Sequence, residues 1–167
     1  MIQVLPDFPD FTAIITGQAL AEHQDYLRAM KDKIRAAGLT ERIVFLGNLP
    51  ADEIPRWYQN VTIMVACPRY EPFGITPLEA MASGCAVVAS RTGAFDYIVK
   101  PGETGTLVPT GDAQALAEAV RPLMQDPRKT ELMGQAGRDR VTEEFSIEKE
   151  ADGIARVYHA VLNDVKI

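Results

Sequence analysis

The sequence predicts an α/β fold, a doubly wound parallel sheet. Three observations carry this reading. Five short apolar runs, Phe11–Thr16, Arg42–Leu46, Val61–Ala66, Cys85–Ser90 and Thr106–Val108, alternate with segments of helical periodicity, which is the rhythm of βαβ units. The run Val61–Ala66 (VTIMVA) is apolar at every position but Thr62, as a strand buried on both faces requires. The stretch after it carries start and stop signals for a helix: Thr76 as N-cap, Pro77 at the first helical position, Glu79 closing a capping box, and Gly84 just past the end. Right-handed crossovers then join the strands.

Taken in order, Met1–Leu5 is apolar and is broken by PDFPDF. Phe11–Thr16 (FTAIIT) is the first strand, stopped by Gly17. A glycine there serves equally as a plain strand-to-helix turn or as a place where backbone approaches a ligand. Ala19–Ala37 is helical, with Leu20, Tyr26, Leu27, Met30 and Ile34 at helical spacing and Gly38 as its cap. Arg42–Leu46 is the next strand, closed by Gly47-Asn48-Leu49-Pro50, and Asp52–Gln59 is a short helix with Ile54, Trp57 and Tyr58 as its apolar residues. After the central strand and helix, Cys85–Ser90 is a further buried strand, Ala94–Val99 a short helix or turn, and Thr106–Val108 the last strand. Asp112–Gln125 is amphipathic, Asp126-Pro127 resets the chain, and Lys129–Arg140 and Ile147–Val165 close it as helices.

A chain of 167 residues fits one domain with a substantial core. No apolar run approaches the ~20 residues of a membrane helix. The opening MIQVLPDFPDF lacks a basic n-region, so a secretory leader is not expected. A net charge of −6 argues against a nucleic-acid surface. Cys67 and Cys85 flank the central loop and helix near opposite ends of neighbouring strands, so no disulfide and a reducing cytoplasmic setting are expected. His23 and His159 stand apart, and no Asp-x-Asp motif occurs, so neither a metal nor another cofactor is demanded.

The candidate chemistry lies between Arg69 and Gly84. Glu71 and Glu79 stand eight positions apart around a loop with Pro72 and Gly74. That loop sits above the carboxyl end of a strand, where open α/β sheets bind ligands. Ionised carboxylates are pure acceptors and suit sugar hydroxyls. The amides of Gly74, Ile75 and Thr76 precede or open a helix and offer N–H groups to an anion. On the residues alone, the alternatives are Glu79 as only the closing member of a capping box and Glu71 as a solvated loop acid, and Phe73 is as readily core packing.

Glu71-Pro72-Phe73-Gly74-Ile75-Thr76-Pro77-Leu78-Glu79-Ala80-Met81-Ala82-Ser83-Gly84 resembles the E-x7-E segment of retaining glycosyltransferases of the B type, family 4. Ala86–Ser90, Thr92-Gly93, Gly102–Gly105 and Leu107-Val108 match in the family's order, so the resemblance covers nearly the whole chain. Among its members the lipopolysaccharide-core mannosyltransferases are the most similar in character. The resemblance implies a nucleotide diphosphate sugar as donor, GDP-mannose among the candidates. It implies Glu71 on the donor sugar as the catalytic candidate, supporting an oxocarbenium-like transition state, and Glu79 on the ribose hydroxyls. Leu49 would pack on the base; Gly17, Phe73, Gly74, Ile75 and Thr76 would complete the donor site.

The family's pattern also differs from this chain. Its domain begins with a strand ending in glycine, followed by an arginine and a lysine–glycine pair that face the diphosphate, and none of these is present. The resemblance therefore implies that residues 1–167 are one nucleotide-sugar-binding domain, part of the C-terminal domain of a two-domain enzyme, and inactive alone. The absent strand is central in the order 3-2-1-4-5-6. Its gap would be closed by the neighbouring strands meeting, by Met1–Leu5 becoming a strand, or by a second chain in a dimer. The acceptor, a glycan or lipid-linked sugar, would be held by the N-terminal domain, with peripheral inner-membrane association of the intact enzyme. The last helix would cross back to that domain, leaving Tyr158 and Leu162 exposed here. A stand-alone nucleotide-sugar-binding module is the alternative outside catalysis; an epimerase or phosphorylase of the same fold is the alternative within it.

Overall fold

The computed structural model describes residues 1–164. Strands β1 (Ala13–Thr16), β2 (Ile43–Gly47), β3 (Ile63–Ala66), β4 (Ala86–Ser90) and β5 (Gly105–Val108) alternate with α1 (Gln24–Ala36), α2 (Ile54–Tyr58), α3 (Ile75–Ala82) and α4 (Phe95–Ile98). Helices α5 (Ala113–Gln125), α6 (Pro127–Glu144) and α7 (Ile147–Asp164) close the chain. Every predicted strand is present, and every pairing is parallel. Val165, assigned by the sequence to the last helix, lies outside the described residues.

β4 shows why the parallel reading works. All five of its residues are buried. Ala86 and Val88 face one core with Val108, Val120 and Leu123. Val87 and Ala89 face the other, with Met81, Phe95 and Ile98. The two-residue period of a strand thus feeds two apolar layers at once. Aspartates fix the helices behind it. The Asp112 carboxylate accepts the amides of Gln114 and Ala115 at 3.0 and 2.9 Å, and that of Asp126 accepts the amide of Lys129 at 3.0 Å. Arg140, almost fully buried, donates to the carbonyls of Ile98 and Tyr97 at 2.9 and 2.8 Å and so ties the carboxyl end of α4 to α6.

The strands form two sheets, β1-β2 and β3-β4-β5. β1 and β3 do not pair; their facing edges border a cavity of about 420 Å3. Met1–Leu5 does not become a strand. It forms a turn leading into a 3-10 turn, Leu5–Asp7, and buries Val4 and Leu5 in the core. The Arg42 guanidinium holds this segment down, donating to the carbonyls of Leu5 and Phe11 at 2.9 and 2.7 Å. Two of the three ways of closing the gap are therefore not taken.

The gap corrects the reading of Val61–Ala66 as buried on both faces. Val65 is 38% exposed and Ile14 on β1 is 40% exposed, because both lie on strands with an open edge. The predicted helix Ala19–Ala37 is also shorter. It begins as a 3-10 turn, Ala21–His23, and Leu20 and Tyr26 lie in solvent while Ile34 reaches the core. On α7, Tyr158 and Leu162 are exposed as expected, alongside Ile154, Val157 and Val161. No helix among the described residues is long and apolar enough to cross a membrane.

Candidate functional site

The site is built from loops at the carboxyl ends of the strands. Gly17 follows β1 and adopts φ +107°; its amide donates to the carbonyl of Gly47 at 2.8 Å, which holds the β1 and β2 loops together. Asn48 adds a side-chain bond to Gln18 at 3.1 Å. Beside them lies a cavity of about 360 Å3 whose wall includes Gly17, Leu49, Tyr58, Thr76 and Glu79. Four residues of the sequence-predicted site, Gly17, Leu49, Thr76 and Glu79, thus share one cavity. It opens between β1 and β3, where the strand order switches, the usual ligand position in such sheets.

Of the remaining predicted residues, Glu71, Phe73 and Gly74 lie in the loop from β3 to α3 and Ile75 opens α3, all outside that wall. The helix starts at Ile75 with Gly74 as its N-cap, not at Thr76, and no side chain caps it. This corrects the capping-box reading: Thr76 is already inside the helix, so Glu79 is free of that duty. The loop is closed instead by Glu71. Its Oε1 accepts the amides of Phe73 and Gly74 at 3.1 and 3.0 Å. Glu71 is therefore not a free loop acid, and the Gly74 amide is already engaged. Among the described residues, the amides of Ile75 and Thr76 make no backbone hydrogen bond and remain at the helix N-terminus for an anion. Phe73 and Ile75 are 74% and 60% exposed, which removes the core-packing reading of Phe73.

Two glycines press this loop onto the next one. Gly74 has φ +82°, and a Cβ there would lie 2.3 Å from Ile98 Cδ1. Gly93 has φ +52°, and a Cβ there would lie 1.8 Å from the Glu71 carbonyl oxygen. Only a residue without Cβ fits either contact. Asp96 is paired with Arg91 at 2.5 Å rather than turned to the site. At the other end of α3, the amides of Gly84 and Cys85 bond the carbonyls of Met81 and Ala80, both at 2.9 Å, the closing pattern expected of Gly84.

Cys85 is buried, and its Sγ donates to the carbonyls of Tyr58 and Val61 at 3.2 and 3.1 Å. Burial pushes its thiol up to about 11, so it stays protonated. Both cysteines are free. The sequence reading did not assign Tyr58 to the site. Its ring joins the cavity wall, and its hydroxyl lies 3.5 Å from the Thr76 carbonyl. Burial, then the negative charge of Glu79, push the phenol up to about 12. The apolar pair Trp57-Tyr58 was visible in the sequence, but the contact of α2 with α3 has no local signature.

The profile of the family "Glycosyl transferases group 1" matches residues 1–140. The chain belongs to this family. It is 42% identical over 164 residues to the lipopolysaccharide core biosynthesis mannosyltransferase LpcC of Rhizobium leguminosarum bv. viciae, a match covering 98% of this chain and 46% of that protein. Among solved structures, Anabaena Alr3699/HepE in complex with UDP superposes with a TM-score of 0.85 at 30% identity, covering 95% of this chain and 44% of HepE. The C-terminal domain of the group 1 glycosyl transferase LpcC from Francisella tularensis superposes at 0.84 with 36% identity, covering 87% of this chain and 75% of that domain. The fold is thus that of B-type glycosyltransferases, and the chain spans about half the length of the curated relative it matches.

Proposed function

We propose that this chain is the donor-binding domain of a retaining hexosyltransferase that moves mannose from GDP-mannose to a glycan or lipid-linked acceptor in cell-envelope polysaccharide synthesis. The observation that carries the reading is the cavity that gathers Gly17, Leu49, Thr76 and Glu79 at the carboxyl ends of the strands. The likeness to LpcC supports mannose, and the UDP complex of HepE supports a nucleoside diphosphate as part of the donor.

In this reading the base packs on Leu49 and the ribose hydroxyls donate to Glu79. The free amides of Ile75 and Thr76 face the diphosphate at the positive end of α3, which supplies ~0.3–1 kcal/mol for an exposed anion. Glu71 is the catalytic candidate. Its Oε1 is committed to the loop amides, which fixes the carboxylate and leaves Oε2 to accept from a sugar hydroxyl. The negative charge then stands where an oxocarbenium-like centre develops.

The acceptor binds to the part of the enzyme that this chain does not span, so the chain alone does not turn over. The intact enzyme works in the cytoplasm, where it meets lipid-linked acceptors at the inner membrane's surface. Calorimetric titration with GDP, UDP and ADP tests the donor. GDP is expected to bind more tightly than the other two; equal binding of all three contradicts a base-selective site.

The open edges of β1 and β3 carry a second expectation. Unpaired strand edges recruit other strands, so the chain forms a dimer by edge pairing. Light scattering over a hundredfold concentration range, roughly the span needed to cross a micromolar Kd, checks it. A constant monomer mass rules the pairing out.

A further inference from the structure

Tyr58 ends α2 and is anchored through its backbone, whose carbonyl accepts from Cys85 Sγ at 3.2 Å. Its ring leans over the first turn of α3. There its hydroxyl lies 3.5 Å from the Thr76 carbonyl, and Glu79 lines the same cavity wall, its negative charge among the causes that raise the phenol. Thr76 and Glu79 are three residues apart and share one helix face. At 3.5 Å the carbonyl is at the outer limit of a hydrogen bond. A charged acceptor bonds more strongly than a neutral one, so a Glu79 carboxylate turned toward the phenol is a better partner for its single proton than the Thr76 carbonyl. The phenol is raised well above neutral pH and is a donor throughout the working range.

Glu79 itself is exposed and sits at the cavity wall. An exposed glutamate samples many rotamers and loses that freedom when it binds. We propose that Tyr58 is a positioning residue that holds the Glu79 carboxylate at the cavity wall, set to receive the two ribose hydroxyls of a nucleoside diphosphate. This rests on the reading of Glu79 as the ribose ligand. The phenol acts through the carboxylate and touches neither the diphosphate nor the sugar.

The test compares GDP with 2′,3′-dideoxy-GDP by calorimetry. The native chain is expected to favour GDP. Tyr58→Phe keeps the ring and the packing but removes the donor. It is expected to weaken GDP about five- to tenfold, as the loss of one side chain's ordering implies, and to leave dideoxy-GDP unchanged. In Glu79→Ala the preference for GDP disappears, and adding Tyr58→Phe to it costs nothing more, since the two act as one unit. A Tyr58→Phe chain that loses both ligands equally has lost structure, not positioning, and overturns the proposal; so does one that keeps the native preference. If Glu79→Ala retains the full preference for GDP, or if no nucleotide binds, the ribose reading itself fails and this inference falls with it.

Discussion

Gly93→Ala is expected to destabilise the chain by about 3 kcal/mol. The methyl group would be placed 1.8 Å from the Glu71 carbonyl oxygen, a backbone atom that has no rotamer to yield. The position also has φ +52°, the left-handed region, which costs a residue with Cβ roughly 1–2 kcal/mol. Relief requires that one of the two loops move. The weaker partner is the Glu71 turn, held by two amide bonds and by the 3.4 Å bond from the Ala94 amide to the Glu71 carbonyl. The expected signature in urea unfolding is a lowered midpoint with an unchanged slope. A loss under about 0.5 kcal/mol, the size of an ordinary surface substitution, means that the two loops are not packed as described.

The second large effect is on binding. Glu79→Ala removes the one carboxylate that the described residues place in the wall of the cavity that also holds Gly17, Leu49 and Thr76. Glu79 does not cap α3, because the helix begins at Ile75 with Gly74 before it. Replacing an exposed glutamate in a helix by alanine therefore leaves stability nearly unchanged. A hydrogen bond to a charged group is worth ~1.5–3 kcal/mol when desolvated. Solvent access at this rim reduces that, and a loss of at least tenfold, or about 1.4 kcal/mol, is expected for GDP. The contrast between the two substitutions is the point: one acts on the scaffold, the other on the ligand.

Much of this was legible in the sequence for physical reasons that differ by element. The strands announced themselves because a buried parallel strand must be apolar at consecutive positions, and β4 meets that demand on both faces. β3 met it in sequence only. Val65 is apolar, but among the described residues β3 pairs only with β4, and no local pattern reports an unpaired edge. The helix after β3 was placed two residues late because Thr76-Pro77 is a good start signal. The structure starts earlier because Gly74 takes a left-handed conformation that a residue with Cβ would resist, and the Glu71 carboxylate closes the loop in place of a threonine hydroxyl. Glu71 and Glu79 were recognised as a pair, whereas the part Glu71 plays in closing its own turn was not. One is tied into its own turn and the other faces the cavity. Tyr58 escaped notice because its role depends on α2 packing across α3, a contact between residues 18 apart in the chain.

The central claim is that Glu79 receives the ribose of a nucleotide-sugar donor. Calorimetric titration of GDP into the native chain and into Glu79→Ala tests it most directly. Saturable binding by the native chain that weakens at least tenfold, about 1.4 kcal/mol, in a variant of unchanged thermal stability is the predicted result. Equal affinity in the two chains would contradict it and would move the ribose away from α3.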